Sequence, residues 1–132
     1  MNDYVDAAER HFASATVLLT THAATASHCF GISAECVLKA LMCNLTPQTA
    51  AINTNHLGSN LWSAFANHPS LAAHPARVNA AQLHQPGFNG WSVHQRYFNG
   101  ADPAFVAPTV ATQQSSAQGL VGLLQQVKLG LI

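Results

Sequence analysis

Apolar residues recur along this chain at helical spacing, and no stretch alternates β-branched and polar residues as a half-buried strand would. Tyr4, Ala8, Phe12, Ala15, Leu18 and Leu19 form a first stripe close to the 3.6-residue period. Asp3 is placed to cap that helix, with Asp6 and Glu9 near its positive end. The threonines and alanines of 20–26 weaken the pattern and predict a turn. A second helix follows from about Ser27 to Asn44, with Phe30, Ala34, Val37 and Leu41 on one face and Pro47 as the stop beyond it. A polar loop from Thr46 to Asn55 leads to a third helix. Asn55 is its predicted cap, Leu57, Leu61, Trp62 and Phe65 its apolar face, and Asn67-His68-Pro69 its end. Pro75 opens a short fourth helix that reaches about His84. The last begins near Pro108, carries Val110, Ala117, Leu120, Val121, Leu124 and Val127, and closes at Gly130. Residues 85–107 lack helical periodicity and hold Pro86, Gly87, Gly90, Gly100 and Pro103. The expectation is one all-α domain over 1–132, an up-and-down bundle of four to five helices with a long ordered loop before the last.

Composition narrows the function more than the fold. Five Lys/Arg face five Asp/Glu, so charged residues are 8% of the chain and the formal net charge is zero. That balance excludes the broad basic footprint on which duplex-DNA coating rests, while leaving room for a small phosphate site. At 48% hydrophobic the chain is not a disordered segment. The first residues carry no basic region leading into an apolar run, and no stretch approaches a membrane span. Cys29, Cys36 and Cys43 are spaced by seven, which puts neighbours about 10 Å apart along a helix, too far to pair there. A cytoplasmic, reduced protein is the expectation.

Three groups of residues could carry chemistry. Glu35 and Lys39 stand at i,i+4 in the favourable order, on a helix that is apolar nearly all round. Either they are a solvated surface pair, or they are partly buried and need further partners. Arg96 or His56 are the candidate donors, with Trp91 and Tyr97 as anchors from the long loop. Arg96 itself, between Trp91 and Tyr97, reads in two ways. It pins the loop to Glu35 while Trp91 fills a pocket, or it contacts a phosphate with the aromatics as stacking surfaces. Arg77 and His84 lie seven apart on one helical face, the minimum set for metal-independent RNA cleavage and so the catalytic candidates. The other histidines show no His-x3-His or Glu-x-x-His spacing, so no metal site and no cofactor is expected.

The run His28-Cys29-Phe30-Gly31-Ile32-Ser33-Ala34-Glu35-Cys36-Val37-Leu38-Lys39-Ala40-Leu41 resembles the second helix of HEPN-domain proteins (higher eukaryotes and prokaryotes nucleotide-binding). His56-Leu57 with Leu61-Trp62 is similar to the next helix of that family, and Gly90-Trp91-Ser92-Val93 with Arg96-Tyr97 to the loop before its final helix. The resemblance implies a dimeric bundle of four or five helices linked to RNA or nucleotides, in toxin–antitoxin or defence systems, often beside a small nucleotidyltransferase. It also implies an Arg-x4-6-His motif near or in the last helix. Here that helix holds neither Arg nor His, and Arg77 with His84 lies one helix early. Three readings therefore stand: a nucleotide- or RNA-associated domain, a metal-independent ribonuclease using Arg77 and His84, and a non-catalytic interaction domain. A weakly charged exterior adds self-association to the expectations.

Overall fold

The computed structural model describes all 132 residues, and the core is organised around its second helix. Five α-helices are present: α1 (Tyr4–Leu18), α2 (Ala23–Met42), α3 (Leu61–Ala66), α4 (Pro75–Gln82) and α5 (Ala107–Lys128). Short 3-10 turns cover Pro69–Leu71, Gln85–Phe88, Val93–Tyr97 and Pro103–Phe105. A single isolated bridge, Asn2 with Gln48, is the one element of extended pairing. The fold is an all-α bundle, and none of its helices is long and apolar enough to cross a membrane.

Contacts between chain segments fix the topology. Ser33 Oγ donates to the carbonyl of Ala8 and Phe12 packs on Phe30, so α1 and α2 are antiparallel. Ala8, Ala15, Ala26 and Ala34 have no exposed surface, and these small residues let the helices approach closely. A third leg returns the chain. Arg77 on α4 meets Asn44 and Ile132, the His84 ring lies on the backbone of α5 at Gly119, and Gly87 packs on Ser116. That leg therefore runs against α5. Lys128 Nζ and Gln125 Nε2 both donate to Glu9 Oε1, at 2.9 and 2.8 Å, tying α5 to α1. The order is up, down, up, down, with α3 packed on the flank of α2.

Fourteen of the twenty residues of α2 are buried, so it is the central helix and its few polar residues must find partners inside. Phe30, Val37, Leu38 and Leu41 meet Leu61 and Phe65 together with Val110, Leu120 and Leu124 in one apolar cluster. Two helix ends close in the same way. Leu45 N–H bonds the Ala40 carbonyl and Asn44 N–H that of Leu41, with Asn44 at φ 51° in the position usually held by glycine. Leu131 and Gly130 repeat the pattern at the end of α5, with Gly130 at φ 73° as its sequence position foretold.

Two helix starts differ from expectation. α2 begins at Ala23 rather than Ser27, because Ala26 and Ser27 are already buried against the bundle and tertiary burial extends a weak pattern. α3 begins at Leu61, not after Asn55, because residues 56 and 57 are drawn off to bond Glu35. Residues 85–107 form the long non-α segment expected before the last helix, and it contains three short 3-10 turns.

Candidate functional site

Glu35 lies in the middle of α2 and its carboxylate is satisfied on all sides. Lys39 Nζ donates to Oε2 at 3.2 Å, Leu57 N–H to Oε1 at 3.1 Å, and His56 Nδ1 stands 3.1 Å from Oε1. The Glu35 and Lys39 side chains are only 8% and 9% exposed, so the pair is a buried network rather than a solvated one. His56 is its single exposed member, with 47% of its side chain open. Of the two donors expected for Glu35, His56 fills the role and Arg96 does not.

The reason is where the long loop is pinned. Trp91 is buried, its Nε1–H donates to the Ser27 carbonyl at 2.9 Å, and its indole lies where a side chain at position 31 would stand. Only glycine leaves that seat open: a Cβ on Gly31 would fall 1.9 Å from Trp91 Cε2. Gln95, also buried, donates from Nε2 to Ser27 Oγ at 2.7 Å and accepts the Ser92 N–H on Oε1. Ser27 Oγ in turn donates to Gln113 Oε1 of α5. Both hydrogen-bonded anchors thus fall on Ser27, eight residues and about 12 Å of helix from Glu35. Trp91 anchors the loop as expected; Tyr97, 76% exposed, does not. Gln95 and Gln113 were missed because a glutamine in a polar stretch carries no sequence mark of burial.

Pinning the 93–97 turn in this way leaves Arg96 facing outward. Its guanidinium carbon lies 4.8 Å from the centre of the Tyr97 ring, an ordinary cation–π distance. It joins Ala24, Thr25, His28, Gln95 and Phe98 around a cleft of about 300 Å³. The first turn of α2, which lines the same cleft, has neither a side-chain cap nor an acidic residue. His28 stacks near-parallel on Trp91, with ring centres 6.1 Å apart, and its Nδ1 is buried without a partner. Burial first, and then the Arg96 charge, hold its pKa below the ordinary histidine value.

The charge inventory singles Arg96 out. Arg10 pairs with Asp6, Lys39 with Glu35 and Lys128 with Glu9, while Arg77 donates to Asn44 Oδ1 and the Ile132 carbonyl. Asp3 and Asp102 accept backbone N–H groups at the starts of their helical turns. Arg96 alone has no ion pair and no hydrogen bond.

Arg77 and His84 do not converge. Arg77 is spent near the C-terminal end of α5, whereas His84 packs on Gly119, nine residues and about 13 Å of helix before Lys128. Both side chains face α5, as their seven-residue spacing allows, but they meet it too far apart along its axis to act on one phosphate. The Nε of Arg77 is buried and unpartnered. Nor do three or more His, Cys, Asp or Glu side chains gather as a metal centre. The cysteines are all free, and burial pushes the Cys36 thiol up to about 12, which leaves it protonated and unreactive. No family model, no curated protein and no solved structure matches the chain.

Proposed function

We propose that this chain is a HEPN-like, nucleotide- or RNA-associated helical domain of a toxin–antitoxin or defence system, binding rather than catalytic. Its ligand site is the cleft at the start of α2. The observation that carries the reading is Arg96, the one charged side chain in the protein with neither ion pair nor hydrogen bond, beside exposed aromatic surface. A guanidinium presents a fork of donors suited to phosphate, and Tyr97 and Phe98, 76% and 44% exposed, offer ring faces to a base. Thr25 and His28, a hydroxyl and an imidazole side chain, line the same cleft. The uncompensated positive end of α2 adds a favourable potential for an anion. A volume near 300 Å³ is at the small end for ligand sites and suits a single nucleotide unit.

A homodimer and a nucleotidyltransferase partner belong to the same proposal, and exposed Val17, Leu83, Leu129 and Leu131 are the surface such association would draw on. The test is NMR titration with a 5′-phosphorylated mononucleotide and a short oligoribonucleotide. Shifts confined to Thr25, His28, Gln95 and Arg96 support the reading. Shifts absent there, or centred on Arg77 and His84, overturn it.

A further inference from the structure

The Glu35 network ends in a notch distinct from the Arg96 cleft, although the Val93–Tyr97 turn contributes to both. Because the Glu35 carboxylate accepts from its surroundings, the His56 nitrogen facing it, Nδ1, is the protonated one, and the lone pair of the neutral ring is on Nε2. Three bonds hold Glu35 in place, so the carboxylate fixes both tautomer and ring direction. Nε2 makes no hydrogen bond, and the ring is half exposed. A histidine with a carboxylate on one nitrogen and a free lone pair on the other is how proteins present imidazole to metals.

A second histidine lines the same notch. His56 and His94 line a space of about 100 Å³ with Ser59, Ser92, Gly58 and Val93. His94 is exposed, neither of its ring nitrogens is hydrogen-bonded, and Ser92 Oγ caps its backbone N–H. The two histidines come from distant segments, 56–60 and 92–97, which is why no local spacing in the sequence announced them. No other histidine is held in this way. His68 Nδ1 is engaged by Ser70 Oγ at 2.7 Å and His84 packs on Gly119. His11 and His28 lie within the fields of Arg10 and Arg96, which repel a cation. Lys39 is bonded within the His56 network, its charge balanced by the other oxygen of Glu35, and Arg96, two residues from His94 in the same turn, lines the separate cleft at the start of α2.

We propose that His56 and His94 form an open site for a first-row transition-metal cation of the imidazole-preferring kind, Cu²⁺ or Zn²⁺, with Glu35 as the positioning residue behind His56. Two protein nitrogens leave the remaining positions to water and to the hydroxyls of Ser59 and Ser92, so the site is an exchangeable one rather than a structural centre. A hard cation such as Mg²⁺, which takes oxygen ligands, is not accommodated.

The experiment adds Cu²⁺ alone, at about a tenth of an equivalent, to the full chain at neutral pH and follows histidine ring signals by NMR. Calorimetry with Zn²⁺ and Mg²⁺ runs beside it. Paramagnetic loss first at His56 and His94 is expected, with Zn²⁺ binding and Mg²⁺ silent. His94→Ala, at an exposed position without side-chain bonds, keeps the fold and weakens Zn²⁺ at least tenfold. Glu35→Gln, wherever it remains folded, weakens it about tenfold through loss of orientation, and His22→Ala changes nothing. Signal loss beginning at other histidines, or an affinity unchanged in both His56→Ala and His94→Ala, shows adventitious surface binding only and overturns the site.

Discussion

Lys39→Met separates a structural Glu35–Lys39 pair from a functional one. Methionine keeps the length and apolar stem of lysine but removes the ammonium, leaving a carboxylate that is 8% exposed with Leu57 N–H and His56 as its remaining partners. Breaking a buried pair costs about 3–5 kcal/mol when the survivor is stranded. Two donors stay in place here, so the lower end, about 3 kcal/mol, is expected. A chain this long has an unfolding entropy of about 0.28 kcal/mol/K, which converts that loss to a drop in Tm of roughly 11 °C. Adding Glu35→Leu removes the stranded charge. It also leaves Leu57 N–H unpaired, so the double variant should recover at least about 1 kcal/mol over Lys39→Met without reaching the parent. Thermal and urea unfolding followed by circular dichroism read both. A Lys39→Met protein within about 0.5 kcal/mol of the parent, or a double variant less stable than the single one, refutes a buried pair that holds the fold.

Other outcomes follow from the same structure. Gly31→Ala drives a methyl into the Trp91 indole and should cost about 1–3 kcal/mol while raising the exposure of Trp91, readable in its fluorescence. His11 and His28 have pKa values lowered chiefly by burial. The unfolded chain therefore takes up protons first as pH falls through 6.5, and stability should decline from there downward, as urea midpoints across pH 5–8 will show. A midpoint flat over that range contradicts the burial of both rings. Arg96→Ala removes one cause of the His28 shift, so the His28 titration in NMR should move back toward the ordinary value, and no movement separates the two residues. Thiol labelling at pH 8 should reach Cys29 and Cys43 before Cys36, whose labelling should track unfolding.

The long elements were legible because α1, α2 and α5 each carry a helical stripe that the core simply completes. Capping by Asp3 and closure by Gly130 were readable for the same reason, since both rest on local backbone chemistry. The apolar helix carrying Glu35 and Lys39 raised burial as one of two readings and His56 as one of two donors, and the structure decides for burial and for His56. Where the long loop attaches could not, because that is decided by Ser27, Gln95 and Gln113, residues with no distinctive spacing. The start of α3 was misplaced because two bonds to Glu35 outweigh the helical preference of 56–60. Arg77 and His84 matched a spacing that puts both on the side facing α5, but the chain's C-terminal residue takes Arg77 and Gly119 takes His84, and no spacing rule reports that.

Arg96 as the protein's single uncommitted charge, placed to hold a phosphate, is tested most directly by one paired measurement on Arg96→Ala. Fluorescence anisotropy with a labelled 5′-phosphorylated oligoribonucleotide gives the affinity, and thermal unfolding gives the stability of the same preparation. Loss of binding with the midpoint unchanged is the predicted result, together with a salt dependence in the parent near the slope of about −0.7 for one phosphate contact to a single strand. Undiminished binding, or a protein destabilised by several kcal/mol with no ligand bound by its parent, would show that Arg96 belongs to the architecture instead.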